Sequence, residues 1–231
     1  MRAWWGVLNL VKLGLESCRK LQELERVITA FTAGLLLITV SELGDKTFFI
    51  AMILAMRHSQ RLVLSAVTAA LAAMTILSAM LGQVVALLPE AFTHHLIVAL
   101  FLGFGVKLLV DASRLPAEPN CAVVKEATAA VDDRQEQKSW WYRYPQLNVW
   151  CQGFALTFLA EWGDRTQFST IALAAAHNPV GVTLGAILGH AICALIAVVC
   201  GSYLAGRISE RAIAFIGGLL FLIFGAVMAV R

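Results

Sequence analysis

Glu42-Leu43-Gly44-Asp45-Lys46-Thr47 and Glu161-Trp162-Gly163-Asp164-Arg165-Thr166 are two copies of one hexapeptide, each in the middle of a long apolar stretch. Ionisable side chains are costly in such surroundings, so a carboxylate there is by default a functional residue. On a helix, Glu and Asp spaced i, i+3 point to one face. Two such faces brought together make a four-carboxylate cluster of Glu42, Asp45, Glu161 and Asp164. Carboxylate oxygen is a hard ligand that suits Mg²⁺, Ca²⁺ or Mn²⁺, whereas copper or tightly held zinc asks for thiol or imidazole. Neither copy contains Cys or His. The plainer alternative is that the acids pair with the adjacent Lys46 and Arg165 to hold helices together.

The repeat extends well beyond the hexapeptide. Adding 119 to the residue number takes Glu42 to Glu161, Thr47 to Thr166, Phe49 to Phe168, His58 to His177 and Gly82 to Gly201. One inserted residue later, Phe101 and Gly105 match Phe221 and Gly225. A match of this length without a gap reads as a duplicated unit.

Composition sets the class. The chain has 231 residues, of which 59% are hydrophobic and 14% charged, the balance of a polytopic membrane protein. Outside the motifs the charges collect in the N-terminal segment, between residues 111 and 143, and in short turns, as in helices joined by wet loops. A net charge of +3, with scattered basic residues, argues against nucleic acid as a partner. The five cysteines, Cys18, Cys121, Cys151, Cys193 and Cys200, form no C-x-x-C pair and read as small packing residues.

The expected architecture is all-α, with six transmembrane helices arranged as two inverted three-helix repeats plus an N-terminal amphipathic helix. Residues 1–26 form the amphipathic segment, with Trp4 and Trp5 as interfacial anchors; a signal sequence is the alternative. Residues 27–112 hold the first repeat, with spans near 27–56, 62–88 and 92–110. Residues 113–145 are a polar linker, solvated and mobile by composition, with Trp140, Trp141, Tyr142 and Tyr144 marking re-entry to the interface. Residues 146–231 hold the second repeat, with spans near 147–176, 179–205 and 209–230. An odd number of spans per unit makes the second copy enter from the opposite side, which places a shared site near the bilayer midplane. The stretch 27–56 is about 45 Å long as a helix, more than a hydrocarbon core of roughly 30 Å. Gly44 and Gly163 are therefore the natural places for a break. Gly181, Gly185, Gly189 and Cys193 make a ridge of small residues, as do Ala66, Ala70, Ser78 and Gly82, and such ridges pack closely in lipid.

The doubled E-x-G-D-[KR]-T motif, with Gln167, Thr170 and Gly189-His190 after it, resembles the signature of the Gdt-type family of membrane cation/proton exchangers. The resemblance covers nearly the whole chain after the N-terminal segment. It implies a secondary transporter, not an enzyme, that exports Mn²⁺ and also Ca²⁺ in exchange for protons, with the cation as cargo and no resident cofactor. It further implies a multi-pass protein of a bacterial inner membrane or a thylakoid-type membrane.

The residues make that mechanism intelligible. Glu42, Asp45, Glu161 and Asp164 carry four negative charges when ionised, and Lys46 and Arg165 return two. The remainder matches one divalent cation or two protons, and these compete for one set of oxygens. Thr47 and Thr166 can add neutral oxygens, as can Gln167, whose counterpart is Phe48. His190, inside the fifth span, is a candidate for moving protons or a neutral partner of a carbonyl. His58 and His177 read as caps at the ends of the motif helices, and Lys107 with Asp111 as a snorkelling pair. Arg57, Arg61, Arg207, Arg211 and the linker's basic residues fall on one side of a six-span layout, which makes that side cytoplasmic. Two rivals stay open: an intramembrane aspartyl protease, which needs two aspartates sharing a proton, and a non-transporting assembly factor.

Overall fold

No proline interrupts the chain from Arg2 to Glu42, and α1 (Arg2–Glu42) runs unbroken across that range in the computed structural model of the protein. The structure describes residues 2–43, 45–115, 125, 127–132, 145–204 and 210–230, with the side chains of 2–15, 145, 201–204 and 210 outside the description. Residues 2–26 are helical and run on into the first span, since nothing in their sequence stops helical hydrogen bonding. The anchoring expected of Trp4 and Trp5, and of Trp140, Trp141, Tyr142 and Tyr144, lies outside the described residues, as does Cys121.

After α1 come α2 (Lys46–Arg57), α3 (Gln60–Val85) and α4 (Glu90–Arg114). The second half holds α5 (Pro145–Ala160), α6 (Arg165–Ala176), α7 (Pro179–Leu204) and α8 (Glu210–Val230). Among the described residues, five helices are long and apolar enough to cross a membrane: Glu16–Glu42, Gln60–Val85, Glu90–Arg114, Pro179–Cys200 and Arg211–Val230. The six-span expectation is matched in part by these five helices. Its fourth span is two shorter helices, α5 and α6 of 16 and 12 residues, because the second motif breaks the helix. The first motif breaks the chain between α1 and α2 in the same way. Exposed apolar side chains such as Leu36, Ile76, Met80, Val199, Ile223 and Val227 clothe the outside, as lipid-facing surfaces require.

The two halves exchange partners. α1 lies against α7, its equivalent α5 lies against α3, and α4 lies against α8. A Cβ at Gly185 would come within 2.1 Å of Phe31 O, and one at Gly181 within 2.5 Å of Val27 O, so the small-residue ridge of α7 seats α1 backbone to backbone. The ridge of α3 meets the other motif helices, with Gly82 against Ile171 O and Ala66 against Gly153. Between α4 and α8 the packing is reciprocal: Leu222 fills the space at Gly105, and Leu102 fills the space at Gly225. Phe101 and Phe221 meet between them, ring centroids 5.7 Å apart.

The linker is not solvated throughout. Residues 127–132 are helical, and Ala127 and Val131 are fully buried in the core around Phe49, Ile50, Leu54, Val63, Val67 and Leu156. Asp132 of the same stretch forms an ion pair with Arg57 at the end of α2. Two apolar residues one helical turn apart suffice to dock a short helix, a signal too brief to stand out from the polar composition around it.

Because the approach of α1 to α7 leaves no room for a methyl group, Gly185→Ala should destabilise the protein by about 1–3 kcal/mol. Gly103→Ala, where a Cβ meets nothing within 4 Å, should be neutral or slightly stabilising. Thermal unfolding of the two variants in one detergent checks the contrast.

Candidate cation site

Both motifs fold the same way, as a helix that stops at the glutamate and restarts at the aspartate. α1 ends at Glu42 and α2 restarts at Lys46; α5 ends at Ala160 and α6 restarts at Arg165. Asp45 and Asp164 hold the N-cap positions with nearly identical extended backbones, φ −77° and ψ 172° against φ −79° and ψ 167°. Gly163 takes φ +81°, a left-handed conformation that L side chains avoid, and this turns the chain between Glu161 and Asp164. Gly44 lies outside the described residues. The positive ends of the α2 and α6 dipoles consequently point toward the acids.

The breaks also bring the threonines onto the glutamates. Thr47 Oγ1 donates to Glu42 Oε2 at 3.1 Å, and Thr166 Oγ1 donates to Glu161 Oε2 at 3.0 Å. Thr166 Oγ1 lies 3.4 Å from Asp164 Oδ2 as well. Glu42 and Glu161 are 2% and 3% exposed, so these are buried carboxylates with few partners. One oxygen each from Glu42, Glu161 and Asp164 lies within 4.8 Å of the others, a spacing that one metal ion can close. Negative oxygens this close repel strongly unless cations or protons lie among them.

Asp45 stands to the side of that set. Arg165 Nη2 donates to Asp45 Oδ2 at 2.6 Å and its Nε lies 3.9 Å from Asp164 Oδ1, so one guanidinium ties the two halves together. Lys46 opens α2, and its backbone N–H donates to Asp45 Oδ1 at 2.7 Å. Gln167, expected near the cation, spends its amide on the turn and on α3: Gly163 N donates to its Oε1 at 2.7 Å, and its Nε2 lies 3.5 Å from Met74 Sδ. Ser169 and Thr170 donate to carbonyls of their own helix. His58 and His177 are the C-caps of α2 and α6, their backbone N–H groups donating to Leu54 O and Leu173 O. His190 is buried, with Nδ1 3.7 Å from Glu42 Oε1.

Some polar residues near the glutamates were not singled out by sequence. Thr39, Ser41 and Thr157 carry buried hydroxyls without a hydrogen-bond partner, one turn or less before the two glutamates. Their only signal is a hydroxyl at helical spacing from Glu42 or Glu161. Asp111 lines a pocket of about 250 Å³ together with Ser41, Asp45, Leu115 and Arg165. The pocket reaches from Asp45 and Arg165 to Asp111 and Leu115 at the C-terminal end of α4.

The chain is similar to known proteins over most of its length. The profile described as divalent cation/proton antiporter GDT1 matches residues 30–115 and 149–231, leaving out the N-terminal segment and the linker. The GDT1-like protein sll0615 of Synechocystis sp. is 54% identical over 206 residues, covering 87% of this chain and 97% of that protein. GDT1-like protein 5 of Arabidopsis thaliana is 40% identical over 215 residues, covering 86% and 94%. Protein PAM71-homolog, chloroplastic, of the same plant is 40% identical over 210 residues, covering 86% of this chain and 58% of its own length. No solved structure matches.

The left-handed turn at Gly163 has open space around it, so substitution there tests the backbone alone. Gly163→Ala should cost about 1–2 kcal/mol. Gly163→Asn should cost less, since asparagine tolerates that conformation. Melting temperatures of the two variants give the comparison.

Proposed function

This chain belongs to the GDT1 divalent cation/proton antiporter family, and we propose that it exports Mn²⁺, with Ca²⁺ open to the same oxygen chemistry, in exchange for protons. Members of the family are transporters rather than enzymes, which removes the protease reading. The observation that carries the proposal is the set of three oxygens from Glu42, Glu161 and Asp164, drawn from both halves onto one spot. Thr47 and Thr166 orient the glutamates, Asp45 joins the set when Arg165 lets go of it, and Gln167 acts through the Gly163 turn. The manganese assignment rests on the resemblance of the doubled motif to manganese exporters.

In this reading the halves are inverted repeats that take up the cation from alternate sides. The exchanged partners α1–α7 and α5–α3 and the reciprocal α4–α8 packing support it. The pocket beside Asp45 and Arg165 is then the open path of one state, and the positive-inside rule makes its side the cytoplasm. A cation entering there displaces protons from the carboxylates, and protons arriving from the other side displace the cation. Metal binds only deprotonated ligands, so affinity climbs with pH while the acids titrate and then levels off.

Two measurements test this on reconstituted vesicles. Glu42→Gln and Glu161→Gln should each abolish Mn²⁺ flux while leaving folded protein in the membrane; near-normal flux in either one removes the shared site. Exchange of one divalent cation for two protons moves no net charge, so a potential, worth about 2.3 kcal/mol per charge per 100 mV, should barely drive it. Flux that follows potential and ignores a pH gradient identifies a channel instead.

A further inference from the structure

The pair α4–α8 leans on only one half of each broken helix. α4 lies against α6 and α8 against α1. Among the described residues, neither α2 nor α5 packs on the pair beyond marginal contact. α1 ends at Glu42 and α6 starts at Arg165, and Thr93 of α4 shares a cavity with Ala175 of α6, so both halves lead from the acids to the face where α4 begins. There the closure is apolar. Leu37 of α1 and Leu173 of α6 share one core with Ile97 and Phe101 of α4 and Phe221 of α8. Phe104 of α4 adds a ring contact with Phe168 of α6, centroids 6.2 Å apart.

The repeat supplies a second position for the pair. The equivalents of α1 and α6 are α5 and α2, which lead from the acids to the opposite face. Two cavities mark the two ends of the pair. The pocket beside Asp45 is walled by Leu108, Ile213, Ala214 and Gly217, and a cavity of about 480 Å³ at the other end by Met228, Thr93, His94 and Ile97. An offset of 120 relates the walls one to one: Thr93 to Ile213, His94 to Ala214, Ile97 to Gly217 and Leu108 to Met228. The two cavities are therefore one feature built twice. They differ in depth. The first reaches Asp45 and Arg165, whereas the second stops at Ala175, ten residues or about 15 Å of helix beyond Arg165. Ile97 fills the position that Gly217 leaves open, and the core of Phe101 and Leu173 lies behind it.

Resting on the exchange reading above, we propose that α4 and α8 move as one arm, and that the cavity at Ile97 is the second mouth of the path. It takes a hydrated divalent cation or protons when the arm leaves α1 and α6 for α5 and α2. The reciprocal seating of Leu222 at Gly105 and Leu102 at Gly225 keeps the arm together, while its apolar contacts with α1 and α6 are free to part. Glu90, His94 and His177 give this mouth polar groups suited to such cargo.

A membrane-impermeant thiol reagent, present on both sides of reconstituted vesicles and read residue by residue by mass spectrometry, tests the two mouths without interference from the native cysteines. Ile97→Cys and Gly217→Cys place thiols at matched positions. At rest, position 217 should react at least tenfold faster than position 97. During Mn²⁺/proton exchange, labelling at 97 should rise at least tenfold and labelling at 217 should fall. Phe104→Ala, which removes the ring contact with Phe168, should raise labelling at 97 even at rest. Hydroxyl-radical footprinting of the wild type reads the same opening without substitution, as a severalfold rise in oxidation of the buried Phe101 and Leu173 during exchange. Wild-type vesicles that exchange Mn²⁺ for protons while Phe101 and Leu173 stay as protected as at rest overturn the moving arm and leave the exchanger reading standing. Wild-type vesicles without such exchange remove that reading, and the arm with it.

Discussion

Glu42 and Glu161 are carboxylates taken out of water inside an apolar bundle, and the protein must replace the lost solvent with its own dipoles. A continuous helix offers little for this, since its N–H groups are already bonded to its own carbonyls. Interrupting it does. The interruptions between Glu42 and Lys46 and between Ala160 and Arg165 let Thr47 and Thr166 reach back five residues to the glutamates, and turn two fresh helix N-termini toward them. The same interruption shortens α5 and α6 below spanning length, so these pieces depend on neighbours to stay in place. The small-residue faces of α3 and α7 serve that end by letting the motif helices approach to backbone contact. Site and scaffold are thus two sides of one constraint.

The matched chemistry of the halves makes their differences informative. Arg165 crosses to Asp45 of the other half while also lying near its own Asp164, so the pocket side of the site is held by one guanidinium. Gln167 pins the Gly163 turn to Met74 on α3, and its counterpart Phe48 packs in an apolar core. His190 faces Glu42, whereas the corresponding Leu71 packs in an apolar core. A symmetric frame therefore carries an unsymmetric set of donors, and the cation meets different groups on its two sides.

Much of this was legible because charge and periodicity are strong signals in apolar sequence. The offset of 119 links Glu42 to Glu161 and His58 to His177, and both pairs occupy equivalent places in the structure. The glycine ridges likewise announced close packing before their partners were known. What spacing could not convey was where side chains point once a helix is interrupted. Thr47 lies off the Glu42 direction on an ideal helix, yet the break brings the two together. Gln167, expected as a source of neutral oxygen, accepts from the backbone N–H of Gly163. Ala127 and Val131 were hidden in a polar linker because two small apolar residues leave almost no mark on composition. The continuity of α1 through residue 26 was missed for the opposite reason: a change in amphipathic character there suggested a boundary where the backbone has none.

The seam between α4 and α8 has a consequence for how such a chain changes over generations. Leu222 occupies the space at Gly105, and Leu102 the space at Gly225, so each knob and its hole belong to different halves. A smaller residue at 102 would leave a gap that a side chain at 225, more than a hundred residues away in the other half, could fill. Along this seam the two halves are not free to drift apart, since a change on one side favours its complement on the other. Lineages should accordingly preserve the pairing while the identities of its members vary, and the heritable unit along this seam is the couple rather than the residue.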